Sequence, residues 1–179
     1  MGIPRIPLRG ALIAAITFVD ESALNSAIAA LTAHYGSLAM QSDVFDFTMT
    51  DYYAMEMGPN LKKCFFCFEK TISLESLPEI KLFSNALELD HASKGTGKSS
   101  RTVNIDPGYV TLSKLVLATT KDYSHRLYLG QGIFGEVTLH FLKGTFNPFR
   151  HTYPDYRLPV AIAFFNRVRE WLKERVEEA

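Results

Sequence analysis

Apolar positions along the chain fall into blocks whose spacing switches between that of strands and that of helices. Ala11 to Val19 is a nearly continuous apolar run of strand length. Beyond it, Leu24, Ala27, Ile28, Leu31 and Tyr35 recur at helical spacing; Asp20 or Ser22 can cap this helix and Gly36 can stop it. A second strand is predicted near Leu38 to Thr48, and a third over KKCFFCFEKTIS. The segment LESLPEIKLFSNALELDHA reads as a helix, with Ser73 as a possible cap and Pro78 within its first turns. RTVNI is then a fourth strand and SKLVLATT a short helix, and HRLYLGQGIFGEVTLHFLKGTF holds two strands joined around Gly130 and Gly132. Leu158 to Val176 places Ala161, Phe165, Val168, Trp171, Leu172 and Val176 on one face behind Pro159, the clearest helix of the chain.

The order strand, helix, strand, strand, helix, strand predicts an α+β fold: a ferredoxin-like split βαβ core extended by a C-terminal β-hairpin and a long C-terminal helix. A doubly wound parallel sheet would need a helix between the second and third strands, and DYYAMEMGPNL is too short and too interrupted to supply one. No repeat or low-complexity linker divides residues 1–179, so one domain is expected.

Composition narrows the function classes. Nineteen Lys and Arg balance nineteen Asp and Glu, so no global field steers the protein to nucleic acid or to an anionic membrane. The apolar run near the start is half the length of a membrane span and no cleavage motif follows it, which leads us to expect a cytoplasmic protein. Cys64 and Cys67 have the spacing of redox and zinc sites, but on a strand residues three apart point to opposite faces, so two buried, reduced thiols are expected.

Ala92 to Ser99, ASKGTGKS, satisfies a relaxed phosphate-loop pattern. A working loop of that kind runs from a strand into a helix N-terminus. Here a helix precedes the string and a strand follows it, so an exposed Gly- and Ser-rich connector is expected instead.

Four other stretches hold polar groups that core packing does not require: TDYYAMEMG (50–58), NIDPGY (104–109), KDYSHR (121–126) and TYPDY (152–156). Six of the eight tyrosines fall in them, each stretch pairing aromatic rings with an acid. Together with IKLFSNALE and LSKLVLATTKDYSHRLYLGQGIFGEVTL, these segments resemble the domain of unknown function 4416 family of bacteria and archaea across nearly the whole chain. The resemblance implies no particular activity, and it sets the phosphate-loop string in a short variable connector.

Read from the residues, NIDPGY leaves a strand and turns at Pro107-Gly108 into a helix, clustering Asn104, Asp106 and Tyr109 at a strand end; Asp106 either meets a ligand there or bonds its own turn. Lys114 either joins the same ligand or is a solvated helix residue. Lys121, His125 and Arg126 form a compact group able to bind an anion or to move protons, or else an exposed turn with internal ion pairs. Glu136 lies in an apolar strand, either facing solvent or buried with a partner such as Arg126 or Lys81. Tyr52, Glu56, Tyr153 and Asp155 complete the ligand-binding candidates, with Asp106, His125 and Glu136 as the catalytic ones. The acids Asp51, Glu56, Asp106 and Asp155 lack the close spacing of a metal site, and His34, His91, His140 and His151 are scattered, so no metal is assigned.

Three functions compete: a small enzyme or binding protein for a phosphate-bearing ligand, an RNA-binding module that zero net charge disfavours, and a protein-interaction domain built on tyrosine-rich loops. The pattern defines no cofactor, substrate or oligomeric state. It does predict that Asp106, Lys121, Arg126 and Glu136 converge on one pocket.

Overall fold

The computed structural model describes residues 2–49, 54–92 and 101–177. Strand β1, Gly10–Phe18, is buried along its whole length, as a strand covered on both faces must be. It feeds α1, Glu21–Tyr35, whose first turn is capped by Asp20 Oδ1 accepting from the Ala23 amide at 2.8 Å, and which ends at Gly36 with φ 90°. Strands β2, Leu38–Gln41, and β3, Phe45–Asp46, lead to the short α2, Ala54–Met57, and to β4, Lys62–Ile72. Helix α3, Leu77–Asp90, follows a 3-10 turn and carries Pro78 in its first turn. The chain continues through β5 (Val103–Val110), β6 (Lys114–Thr119), β7 (Arg126–Gly130), β8 (Ile133–Leu142) and β9 (Thr145–Pro148). A 3-10 turn, Pro154–Arg157, precedes α4, Pro159–Glu177.

The nine strands form one sheet in the order β2-β4-β1-β5-β6-β8-β7, with β3 paired to β4 and β9 to β8, and the pairings are antiparallel. This is an α+β fold. Leu12, Ala14 and Ile16 of β1 pack with α1 and α3 on one face, while Ala11, Ile13 and Ala15 pack with Phe164, Phe165 and Val168 of α4 on the other. Alternation along β4 does the same: Cys64 lies in the first core and Cys67 in the second, both free thiols. No described helix is long and apolar enough to cross a membrane.

Three expectations are corrected. SKLVLATT is strand β6, because Leu115 and Leu117 meet the α4 core while Val116 and Ala118 pack with Leu77 and Ile133; an apolar run this short fits a strand buried on both sides. NIDPGY does not turn at Pro107-Gly108 but lies wholly within β5. The strand expected over residues 38–48 is two short strands, β2 and β3, both paired to β4.

Pro107 is tolerated inside the sheet because the sheet forks there. The β5–β6 register covers Gly108, Tyr109 and Val110 only. In an antiparallel strand the N–H and C=O of one residue point to the same side, and alternate residues share a side. The Thr111 amide donates to Lys114 O across the β5–β6 connection, so Tyr109, Pro107 and Ile105 also face β6. Pro107 has no N–H to leave unpaired. Beyond it, two α3 side chains seven residues apart, on one helix face, replace the missing strand: Lys81 Nζ donates to Ile105 O at 2.9 Å and Glu88 Oε1 accepts from the Ile105 amide at 2.6 Å.

At the crotch of the fork, a Cβ on Gly108 would stand 2.3 Å from Val116 O. Backbone cannot yield as a side-chain tip can, so Gly108→Ala is expected to cost about 2 kcal/mol or more. Urea denaturation with an unchanged midpoint would contradict this.

Burial raises the thiol pKa of Cys64, and pushes that of Cys67 from 9.0 up to about 12. Folding therefore favours the protonated thiols. Their contribution to stability is complete below pH 9, where the unfolded thiol is also protonated, and for Cys67 is lost as the pH rises from 9 towards 12. A thiol-specific disulfide reagent at pH 8 is expected to leave both cysteines unmodified in native protein and to label both in denaturant; rapid native labelling of Cys67 would overturn the burial argument.

Candidate ligand-binding site

Strand register places a set of polar side chains on the sheet face that α4 covers elsewhere. Lys63 lies opposite Thr17, and Thr17 opposite Asn104. Asp106 stands two residues along β5 on the same face. Gly108 is opposite Leu117, Leu117 opposite Glu136, and Glu136 opposite Arg126. Leu117 belongs to the α4 core, so Glu136 and Arg126 share its face. A cavity of about 980 Å³ opens over this face, bounded on the far side by Tyr153 and Asp155 from the segment before α4.

Ion pairs organise its walls. Lys63 Nζ and Asp155 Oδ2 are 2.7 Å apart with both side chains buried, and the ammonium also lies 5.1 Å from the Phe47 ring centroid and 5.0 Å from that of Tyr156. At the fork, Lys81 Nζ is 3.7 Å from Asp106 Oδ1, and the Asn104 amide donates to Asp106 Oδ2 at 2.9 Å. Arg101 grips Glu56 with Nε and Nη2, each at 2.7 Å, and Glu88 with Nη1 at 2.5 Å. The hydrogen bonds to Glu56, then the charge of Glu88, hold the Arg101 guanidinium protonated against its partial burial. Burial raises the Glu88 pKa, opposed chiefly by Lys81.

The third group centres on Glu136, a buried acid. Its Oε2 accepts from Arg126 Nε at 2.9 Å and is 3.1 Å from His125 Nε2. Arg126 also donates to Lys121 O at 2.9 Å and to the Tyr153 hydroxyl at 2.6 Å, and lies over the Tyr123 ring. Burial raises the Tyr153 pKa, with Arg126 acting in the opposite direction. His125 stacks on His151 at a centroid distance of 4.3 Å, and His151 stacks in turn on Phe149 at 5.2 Å.

The cavity thus brings together Asp106, His125, Glu136, Glu56, Asn104, Lys121, Arg126, Tyr153 and Asp155. Of the two environments considered for Glu136, the structure has the buried one, with Arg126 rather than Lys81 as its cation. Two candidates lie elsewhere. Tyr109 packs between two apolar clusters, where burial raises its pKa, and Lys114 begins β6 at the opposite end, beside Leu112 and Leu172 in a separate groove. Tyr109 was expected at a turn and Lys114 on a helix after it; instead Tyr109 lies within β5 and Lys114 begins β6. Tyr52, Asp51, Lys98 and Ser99 lie outside the described residues. Lys63, Glu88 and Arg101 are cavity residues that sequence reasoning missed, and Lys81 was considered only as a partner for Glu136. A signal existed for Lys63, a lysine on the inward alternation of a strand with Phe65 and Cys67. Among the described residues no group of three or more His, Cys, Asp or Glu is arranged to hold a metal ion.

The protein is therefore an α+β molecule with a charge-paired cavity at a forked sheet. Residues 9–172 match the domain of unknown function 4416 family, and the chain belongs to that family. No curated protein and no solved structure matches it.

The Lys63–Asp155 pair provides a test of how the cavity is held. Asp155→Ala strands a buried ammonium and is expected to lower stability by about 3–5 kcal/mol, whereas Lys63→Met combined with Asp155→Leu restores most of the loss. Equal destabilisation by the single and the double variant, measured in denaturant, would count against this electrostatic account.

Proposed function

We propose that this protein binds a small phosphate-bearing molecule in the cavity, as a binding protein or as an enzyme using general acid–base chemistry. The observation that carries the reading is the Glu136 cluster. One buried carboxylate orients both Arg126 and His125 at the cavity edge, beside Lys121. A guanidinium held this way is pre-organised for a phosphate oxygen. With Nε2 engaged by Glu136, the His125 ring has Nδ1 left to exchange a proton with a ligand. Asp106, at the fork, is the second candidate acid–base group, and Lys81 is its counter-ion.

The strand order β2-β4-β1-β5, with α1 and α3 packed on one face, supports describing the first two thirds of the chain as a ferredoxin-like split βαβ unit. The RNA-binding alternative finds no support in that likeness, because helices cover both faces of the central strands. Leu127 and Tyr128, 74% and 64% exposed on edge strand β7, favour the protein-interaction alternative, and they lie outside the cavity lining.

A ligand that binds only the folded state raises its thermal stability. Phosphate-bearing small molecules at millimolar concentration are expected to raise the melting temperature, and calorimetry is expected to show about tenfold weaker binding in Lys121→Ala, the loss of one charge-assisted contact. Lys121 is exposed, so folding should be unaffected. If no phosphate compound stabilises the protein, the reading falls.

A further inference from the structure

We infer that the ligand of this cavity carries one phosphate on a polyhydroxylated body, as sugar phosphates do, with the hydroxyl groups seated at the fork on Asn104, Asp106 and Lys81. The inference rests on the proposed phosphate site and adds the chemistry of the other end of the ligand.

Charge supplies the first argument. Among the described residues, five Lys and Arg side chains and five carboxylates line the cavity. Such a balance leaves no excess of cations for a polyphosphate chain, whose charges would each need a partner when taken out of water. One phosphate at the edge beside Arg126 and Lys121 is the anionic load this lining accommodates.

The second argument is the donor and acceptor pattern at the fork. Asp106 is held by Asn104 through Oδ2, while Oδ1 has Lys81 only at 3.7 Å, beyond hydrogen-bond reach. Oδ1 thus keeps acceptor capacity towards the cavity. Lys81 uses one N–H on Ile105 O and retains two. An acceptor and donors side by side are the complement of neighbouring hydroxyl groups, each of which both donates and accepts.

A third observation is independent of these side chains. Thr17 Oγ1 is fully buried in register between Lys63 and Asn104, on the sheet face that floors the cavity, and has no hydrogen-bond partner among the described residues. Thr17 does not itself line the cavity, so the oxygen that such a buried hydroxyl calls for is a water held beneath the floor, which would extend the polar contacts of Asn104 towards a ligand. An apolar ligand body would leave Asp106 Oδ1 and the two remaining N–H groups of Lys81 without hydrogen-bond partners.

The test is calorimetric titration of the full chain with inorganic phosphate, glycerol phosphate, pentose and hexose monophosphates, and a nucleoside triphosphate. At least one sugar monophosphate is expected to bind ten times or more tighter than inorganic phosphate and tighter than the triphosphate. In Asp106→Asn that advantage should shrink about tenfold while inorganic phosphate affinity is unchanged; Asn104→Ala is the second variant if the first does not fold. Equal affinity for inorganic phosphate and every sugar phosphate, or a preference for the triphosphate, overturns this inference and leaves the phosphate site standing. Binding of none of them removes both.

Discussion

The constraint on which the rest depends is the treatment of one backbone unit, that of Ile105. Its N–H and C=O face the side where β6 would continue the sheet, and both are buried away from water. Unpaired, they would cost several kcal/mol. Glu88 and Lys81 take them instead, and charged partners make the stronger class of hydrogen bond. With Ile105 satisfied from a helix, β6 is free to leave β5 after Gly108, and the gap between them admits α3 side chains to the face that α4 covers elsewhere. The fork is therefore the reason that Lys81, from the α3 layer, meets Asp106, from the α4 face.

Once the gap is open, electrostatics decides what can occupy it. Buried ions are tolerated when each has an opposite charge in contact, and the cavity is built in that way: Lys63 with Asp155, Lys81 with Asp106, Arg101 with Glu56 and Glu88, Arg126 with Glu136. Such pairs seldom add net stability over well-packed apolar side chains of the same volume. On the binding reading proposed above, their use lies in what they would do to a ligand. They hold donors and acceptors in fixed positions, which reduces the ordering that binding would otherwise require.

Much of this was legible in the chain, and most of what was not depended on tertiary partners that local pattern does not show. Strand β1, helix α1 with its Asp20 cap and Gly36 stop, and helix α4 follow from local periodicity and capping chemistry. The opposite faces of Cys64 and Cys67 follow from strand alternation alone. One failure lies at Pro107-Gly108, where local rules predict a turn and tertiary context makes a strand. A proline is excluded from a central strand only if its missing N–H is needed, and that depends on whether β6 is still alongside. Lys114 and Tyr109 were misplaced for this same reason. Lys63, Glu88 and Arg101 escaped notice because a charged residue in an amphipathic segment looks solvated until the partner that permits its burial is known.

The fork also explains why the cavity stays open instead of being squeezed out. An apolar void of about 980 Å³ in the interior would not survive, because the lost packing would draw the layers together. A void lined by paired ions resists that collapse. Closing β6 onto β5 would require expelling Glu88 and Lys81 from their bonds to Ile105 while leaving Pro107 with no amide to offer the incoming strand. Water can fill the open space, since charged and hydrogen-bonding side chains face it from several walls. On the binding reading proposed above, a charge-balanced gap held apart by the backbone itself would take a ligand of matching polarity without moving the strands, and so the element that breaks the regularity of the sheet is the one that opens the cavity.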